Sequence, residues 1–175
     1  MPADPPKAVG AAWEPPTARE RKAILDGTHT VAMVGASSNP ARPSYFVATY
    51  LLSSSTDFDV YFVNPRESEI LGRRVYPSLA ALPVVPDVVD VFRRNEDLPD
   101  VAREVVAVGA KTFWAQLGLY SEEAAAIAHS AGLHAVMNRC LKIEHARFHG
   151  GLHLAGFDTG VINSRRTLSQ ASHAG

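Results

Sequence analysis

A chain of 175 residues with 46% hydrophobic and 20% charged residues is long enough for one domain with a substantial core. Its 17 basic and 18 acidic residues leave a net charge of −1, which argues against a nucleic-acid or membrane-surface protein. A single cysteine, Cys140, cannot form an intrachain disulfide, so a reducing cytoplasm is expected. No apolar run approaches the roughly 18 residues needed to span a bilayer.

The first 16 residues are rich in Pro and Ala, lack the apolar segment of a signal peptide, and are expected to form a flexible arm. Thr17-Ala18-Arg19-Glu20 has capping-box spacing and opens a helix to about Asp26, with Gly27 as its stop. A first strand over Thr30 to Val34 breaks at Gly35 into Ala36-Ser37-Ser38-Asn39-Pro40, and a helix from Arg42-Pro43 to about Leu52 follows. Val47, Tyr50 and Leu51 share one face of that helix.

Asp59 to Val63 forms a second strand, stopped by Asn64-Pro65. The mixed charge and Gly72 of Arg66 to Tyr76 suggest an irregular connection, and Ser78 is placed to cap a short turn over Leu79 to Leu82. Pro83 and Pro86 keep the next link extended. Asp87 to Phe92 reads as a third strand ending at Arg93-Arg94. Pro99 starts a helix with Val101, Val105 and Val108 at helical spacing, closed by Gly109. Lys111 to Ala115 is a fourth strand leading into Gln116-Leu117-Gly118. Ser121 with Glu122 and Glu123 opens another helix, ended by Gly132, before a fifth strand over His134 to Met137. A last helix covers Leu141 to Phe148, Gly150 to Gly160 reads as loop, and the tail from Ser164 as mobile.

This alternation predicts a single α/β domain over residues 17–163, with a Rossmann-like, doubly wound parallel sheet of five strands. In that order strands one and four are neighbours at the switch point, where ligands bind beyond the strand C-termini. The Gly35 loop is thereby expected beside Gln116-Leu117-Gly118. A strand that ends in a small-residue loop and feeds a helix N-terminus offers free N–H groups and a favourable dipole to a phosphate.

The loop carries one glycine where a dinucleotide fingerprint wants three, which is weak support for NAD. Strand two ends in Asn64-Pro65-Arg66 rather than in the acid that holds a ribose 2′-OH. An arginine there suits a phosphate, as in NADP or the 3′-phosphate of coenzyme A, and spacing alone leaves both open.

Gly35-Ala36-Ser37-Ser38-Asn39-Pro40 with Arg42-Pro43-Ser44 resembles the first loop of the small stand-alone CoA-binding domain proteins. The resemblance continues through Val63-Asn64-Pro65, Leu71-Gly72-Arg73, Tyr76-Pro77-Ser78-Leu79, Asp90 to Arg94, Trp114 to Gly118 and Asn138-Arg139-Cys140, covering about Thr30 to His145. That family is similar to the CoA-binding domain of the succinyl-CoA synthetase α subunit. The resemblance implies CoA or acyl-CoA lying across the strand C-termini. The Gly35 to Asn39 loop would cradle phosphate oxygens, flanked by Pro40 and Arg42. Asn64, Pro65 and Arg66 would meet the adenosine and its 3′-phosphate; Phe92, Arg93 and Arg94 would form a wall; Gln116, Leu117 and Gly118 would line the pantetheine path.

The synthetase also needs a phosphohistidine domain and a β subunit, and the stretch after His145 is too short for such a domain, so synthetase activity is not implied. Ser37 and Ser38 lack the His–Asp pattern of an activated nucleophile and suit phosphate hydrogen bonds better. Cys140, His145, His149 and His153 match no familiar zinc spacing; His145 and His149 fall on one helix face, and Gly150-Gly151 takes His153 out of line. Cys140 is expected to pack as a small apolar residue, and a mixed disulfide with CoA is a separate hypothesis. Trp114 is expected in the core and Gln116 at the ligand. The reading is a non-catalytic CoA- or acyl-CoA-binding protein, regulatory or carrier, with no metal and an unidentified protein partner. The alternatives are an NADP-dependent oxidoreductase and an accessory subunit of an acyl-CoA ligase.

Overall fold

The computed structural model describes residues 12–149. The expected loop from Gly150, His153 and the tail from Ser164 lie outside that range, as do residues 1–11 of the expected arm.

Helix α1 (Ala18–Asp26) opens on the capping box: Thr17 Oγ1 accepts from Glu20 N–H, and the Glu20 carboxylate accepts from Thr17 N–H. Strand β1 (Thr30–Val34) leads through the Gly35 loop into α2 (Pro43–Leu51), whose first residue is the proline that needs no N–H partner. Then come β2 (Asp59–Val63), β3 (Glu69–Ile70), β4 (Arg73–Tyr76) and β5 (Val88–Val91). The remaining elements are α3 (Leu98–Val108), β6 (Thr112–Ala115), α4 (Glu122–Ser130), β7 (His134–Val136) and α5 (Leu141–Phe148).

The sheet has seven strands in the order β3-β4-β2-β1-β5-β6-β7, parallel except for the β3–β4 pair. The doubly wound class agrees with the sequence, but the count of five does not. Arg66 to Tyr76 is not an irregular connection: it contains a tight hairpin turned at Leu71-Gly72, both at positive φ (51° and 75°). Its second strand, β4, runs parallel to β2 through Phe62↔Val75 and Val63↔Tyr76.

That missed strand also corrects the expected neighbour. β4 takes the third place of the Rossmann order, so the strand beside β1 at the switch point is β5, not β6. The Gly35 loop consequently adjoins Phe92, and Gln116 sits one strand further on.

The two sheet faces carry separate cores because side chains alternate along each strand. Val31, Met33, Phe62, Val88 and Trp114 pack with Leu25, Val47, Leu51 and Leu141 of α1, α2 and α5. Ala32, Val34, Val89, Val91 and Phe113 pack with Val101, Val105, Ala124 and Ala128 of α3 and α4. Trp114 is fully buried, as expected, and its Nε1–H donates to Arg139 O at 2.9 Å. At the far edge Trp13 Nε1–H donates to Ala135 O at 3.0 Å, and its ring lies against Tyr120. This indole hydrogen bond occupies a carbonyl of edge strand β7, where open pairing groups are a liability.

α5 is tied to α1 by a buried acid. Glu144 meets Arg21 Nε at 2.9 Å, with Arg147 at 3.6 Å and Arg139 at 3.7 Å. His145 of the same helix stacks on His149 at 4.3 Å and shares a 2.8 Å hydrogen bond between its Nδ1 and the Tyr50 hydroxyl. Burial is the main reason its pKa falls from 6.5 to about 4, with the neighbouring His149 adding to the shift. Among the described residues no helix is long and apolar enough to cross a membrane, and no group of three or more His, Cys, Asp or Glu is arranged to hold a metal ion.

Candidate functional site

The parallel register lines up the ends of four strands. Val34 is paired with Val63 and Val91, and Val91 with Ala115, so the next residues, Asn64, Gly35, Phe92 and Gln116, form a row across the C-terminal edge. Backbone bonds continue the ladder through this row: Gly35 N–H to Val63 O at 2.9 Å, Phe92 N–H to Val34 O at 2.8 Å and Gln116 N–H to Val91 O at 3.2 Å. All four segments singled out in the sequence therefore meet at one edge of the sheet.

Gly35 is the tightest point of that row. Its φ is +82°, and a Cβ there would stand 2.4 Å from Phe92 O and 3.1 Å from Arg93 Cδ. Only a residue without a side chain lets the chain turn so close to the β5 end.

Beyond Gly35 the loop is held by its own side chains. Ser37 N–H donates to the buried Ser44 Oγ at 3.0 Å, Asn39 N–H to Ser37 Oγ at 3.1 Å, and Ala41 N–H to Asn39 Oδ1 at 2.9 Å. Asn64 ties β2 to the loop, its Nδ2 donating to Ala36 O at 2.8 Å while its Oδ1 accepts from Arg66 N–H at 2.9 Å. The remaining polar partner is an acid: Glu67 Oε1 accepts from Ser38 N–H at 3.2 Å and from Ser38 Oγ at 3.1 Å. An oxyanion is thus already seated on the loop, as its exposed N–H and hydroxyl donors favour.

The expected arginines fall into two groups. Arg93 and Arg94 both reach Asp97 (3.4 and 3.3 Å), and Arg94 also pairs with Glu96 at 3.1 Å. Partial desolvation works to raise the Asp97 pKa, but Arg94 and Arg93 outweigh it and the carboxyl is held below its usual range. Arg42 and Arg66 are exposed, and their guanidinium groups form no ion pair among the described residues. Pro40 and Pro65 are exposed beside them, and Ala36 is buried beneath the loop.

At the β6 end Gln116 is buried while Leu117 and Gly118 are exposed, and Gly118 N–H donates to Asn138 Oδ1 at 2.8 Å. Among the described residues Gln116 Oε1 has no hydrogen-bond partner. Such an oxygen at the edge of the row suits a donor from a bound molecule, because leaving it unpaired is costly. Both oxygens of Asp90, wholly buried on the Met33–Trp114 side of β5, are also without a partner among the described residues, and burial raises its pKa well above the usual carboxylate range. Cys140 is half-buried at the N-cap of α5, packed against the same core.

Ser44, Glu67, Asp90 and Asn138 join this edge without belonging to the expected ligand-binding residues. Ser44 sits in the first turn of α2 and Glu67 four residues past β2, and only the tertiary turn aims either at the loop. For Asp90, an acid inside an apolar strand was the available signal.

Residues 29–146 match the CoA binding domain family. The protein YneT of Bacillus subtilis (strain 168) is 37% identical over 131 residues, spanning 75% of this chain and 96% of its own. Among solved structures, Prb, a PH1109 protein redesigned for binding, is 39% identical with a TM-score of 0.73, covering 77% of this chain and 93% of that one. A hypothetical protein from Pyrococcus horikoshii OT3 is 36% identical with a TM-score of 0.70, covering 85% and 99%. The dinucleotide-forming acetyl-coenzyme A synthetase 1 of Ca. Korarchaeum cryptofilum is 26% identical with a TM-score of 0.56 over 62% of this chain, which corresponds to 25% of the synthetase. With a family match over most of its folded length and near-complete coverage of relatives above 30% identity, this chain belongs to the CoA binding domain family.

Proposed function

We propose that the protein binds CoA or an acyl-CoA across the C-terminal edge of the sheet and performs no chemistry on it. The observation that carries this reading is the row Asn64–Gly35–Phe92–Gln116, with a glycine-dependent close approach at its centre and an anion on the adjoining loop. In this reading the Gly35–Asn39 loop, with Pro40 beside it, takes the diphosphate. Asn64 and Pro65 shape the adenosine side, and Arg42 and Arg66 supply the unpaired positive charge. Gln116 Oε1 accepts from a pantetheine amide, with Leu117 and Gly118 along the same path and Phe92, Arg93 and Arg94 as the wall.

The non-catalytic part rests on the loop hydroxyls. Ser37 Oγ accepts from Asn39 N–H and Ser38 Oγ donates to Glu67, and neither meets a histidine among the described residues. A serine hydroxyl held only by a backbone donor or a carboxylate, with no histidine to take its proton, is a poor nucleophile.

Isothermal titration with CoA tests the proposal: saturable binding is expected, and none by CoA or any acyl-CoA at millimolar levels refutes it. If Arg66 holds the 3′-phosphate, dephospho-CoA and Arg66→Ala each lose about 1.5–3 kcal/mol, the worth of a charge-assisted contact. Tighter binding of NADPH than of CoA would favour an oxidoreductase. The likeness to an acetyl-coenzyme A synthetase favours one further reading, an accessory ligase subunit, and a stable ligase partner recovered from the native host would establish it.

A further inference from the structure

We propose that Glu67 is a tethered competitor for the phosphate loop, which raises the intrinsic affinity an anion needs in order to occupy it. The inference rests on the CoA reading above and concerns how that site chooses its ligand.

Glu67 follows β2 by four residues, and the Asn64 turn folds it back over the β1 loop: Asn64 Oδ1 accepts from Arg66 N–H at 2.9 Å and Asn64 O from Glu67 N–H at 3.4 Å. One carboxylate oxygen takes both Ser38 donors, the N–H and the hydroxyl. The N–H groups of Ser37, Asn39 and Ala41 are already engaged by side chains of the loop and of α2, so Ser38 is where an outside oxyanion would gain most. The half-buried Glu67 makes no ion pair with Arg42, Arg66 or any other cation among the described residues. It is an acid spent on an anion-binding position.

A tethered group competes at an effective concentration of about millimolar or more, so a free monophosphate at comparable concentration gains little by replacing it. A ligand that also reaches Arg42 and Arg66 with further phosphates overcomes the same competition and expels the carboxylate. Glu67 is then an affinity-setting residue whose removal tightens every anion that must expel it by the same factor, so that only a ligand with contacts to spare occupies the wild-type loop.

The test compares full-length wild type, Glu67→Gln and Glu69→Gln by isothermal titration with CoA and with inorganic pyrophosphate, alongside the Ser38 amide resonance. Glu69 is an exposed acid of β3 that changes net charge equally without touching the loop. Glu67→Gln is expected to tighten CoA about 5- to 10-fold, the size of one modest hydrogen-bond competition, and pyrophosphate by the same factor. Glu69→Gln should change either by less than about 2-fold, the effect of a screened surface charge. The Ser38 amide should shift in ligand-free Glu67→Gln and, on CoA addition, in wild type. Equal tightening in both variants reduces the effect to net charge and overturns the proposal. Weaker CoA binding by Glu67→Gln overturns it too, by making Glu67 a ligand contact. Wild type that binds CoA as tightly as Glu67→Gln overturns this inference alone, whereas absence of CoA binding by both overturns the CoA reading and this inference with it.

Discussion

Replacing Gly35 by alanine separates two penalties that coincide at the centre of the row. The first is conformational: at φ +82° an L-residue pays roughly 1–2 kcal/mol. The second is collision. The new Cβ would lie 2.4 Å from Phe92 O, about 1 Å inside ordinary contact, and that carbonyl belongs to backbone locked to β1 through Phe92 N–H and Val34 O. Overpacking of this kind costs about 1–3 kcal/mol, so the total is about 2–5 kcal/mol. Gly118→Ala is the control, since its φ of +89° imposes the first penalty while nothing lies within 4 Å of its Cβ. In urea unfolding followed by tryptophan fluorescence, Gly35→Ala should lose about 1–3 kcal/mol more than Gly118→Ala. For a chain of this size that difference is about 2–12 °C in Tm. Equal losses in the two variants would refute the close approach of the loop to the β5 end.

Two further outcomes concern α5. Glu144→Ala strands the buried Arg21 guanidinium without its acid and should cost about 3–5 kcal/mol in urea unfolding, whereas Asp100→Ala, which breaks an exposed pair with Arg103, should stay within about 0.5 kcal/mol; a Glu144→Ala loss below 1 kcal/mol would contradict a buried ionic anchor. His145 has its folded pKa lowered to about 4, chiefly by burial and next by His149, with Asp26 and Asp57 opposing, so between pH 6.5 and 4 the unfolded chain binds more protons there. Its contribution to stability is complete above pH 6.5 and is lost as pH falls towards 4. An NMR titration should find His145 neutral at pH 5.5, and His149→Gln should move its midpoint upward; a midpoint near 6.5 in wild type would contradict the buried setting.

Much of the fold follows from local sequence. The Thr17–Glu20 capping box, Pro43 at the start of α2, Ser121 at the start of α4, and Gly109 and Gly132 beyond α3 and α4 are short-range devices whose physics acts within a few residues. The five strands read from the sequence are apolar runs, with β5 and β6 buried at every position and β1 at all but its first, a pattern legible without any partner. β3 and β4 were not legible in this way: Glu69-Ile70 and Arg73-Arg74-Val75-Tyr76 are short and charged, and the hairpin turns on a leucine at positive φ where an Asn or Gly would have signalled it. Missing β4 then misplaced the neighbour of β1, because strand order depends on every strand present.

The sequence by itself determined the doubly wound class, the strand-loop-helix at Gly35 and the residues at the ends of β1, β2, β5 and β6, since apolar runs and their breaking residues mark where strands stop. Only the tertiary structure decided which ends stand side by side. It also decided that Gly35 is pressed against Phe92 and that Glu67 sits on Ser38. Both join segments far apart in the chain, 29 residues for Ser38 and Glu67, as does the Asp87 carboxylate that accepts from His29 N–H across 58 residues. Contacts at that separation leave no mark in the local pattern of either segment, because sheet pairing is fixed by the packing of the whole layer.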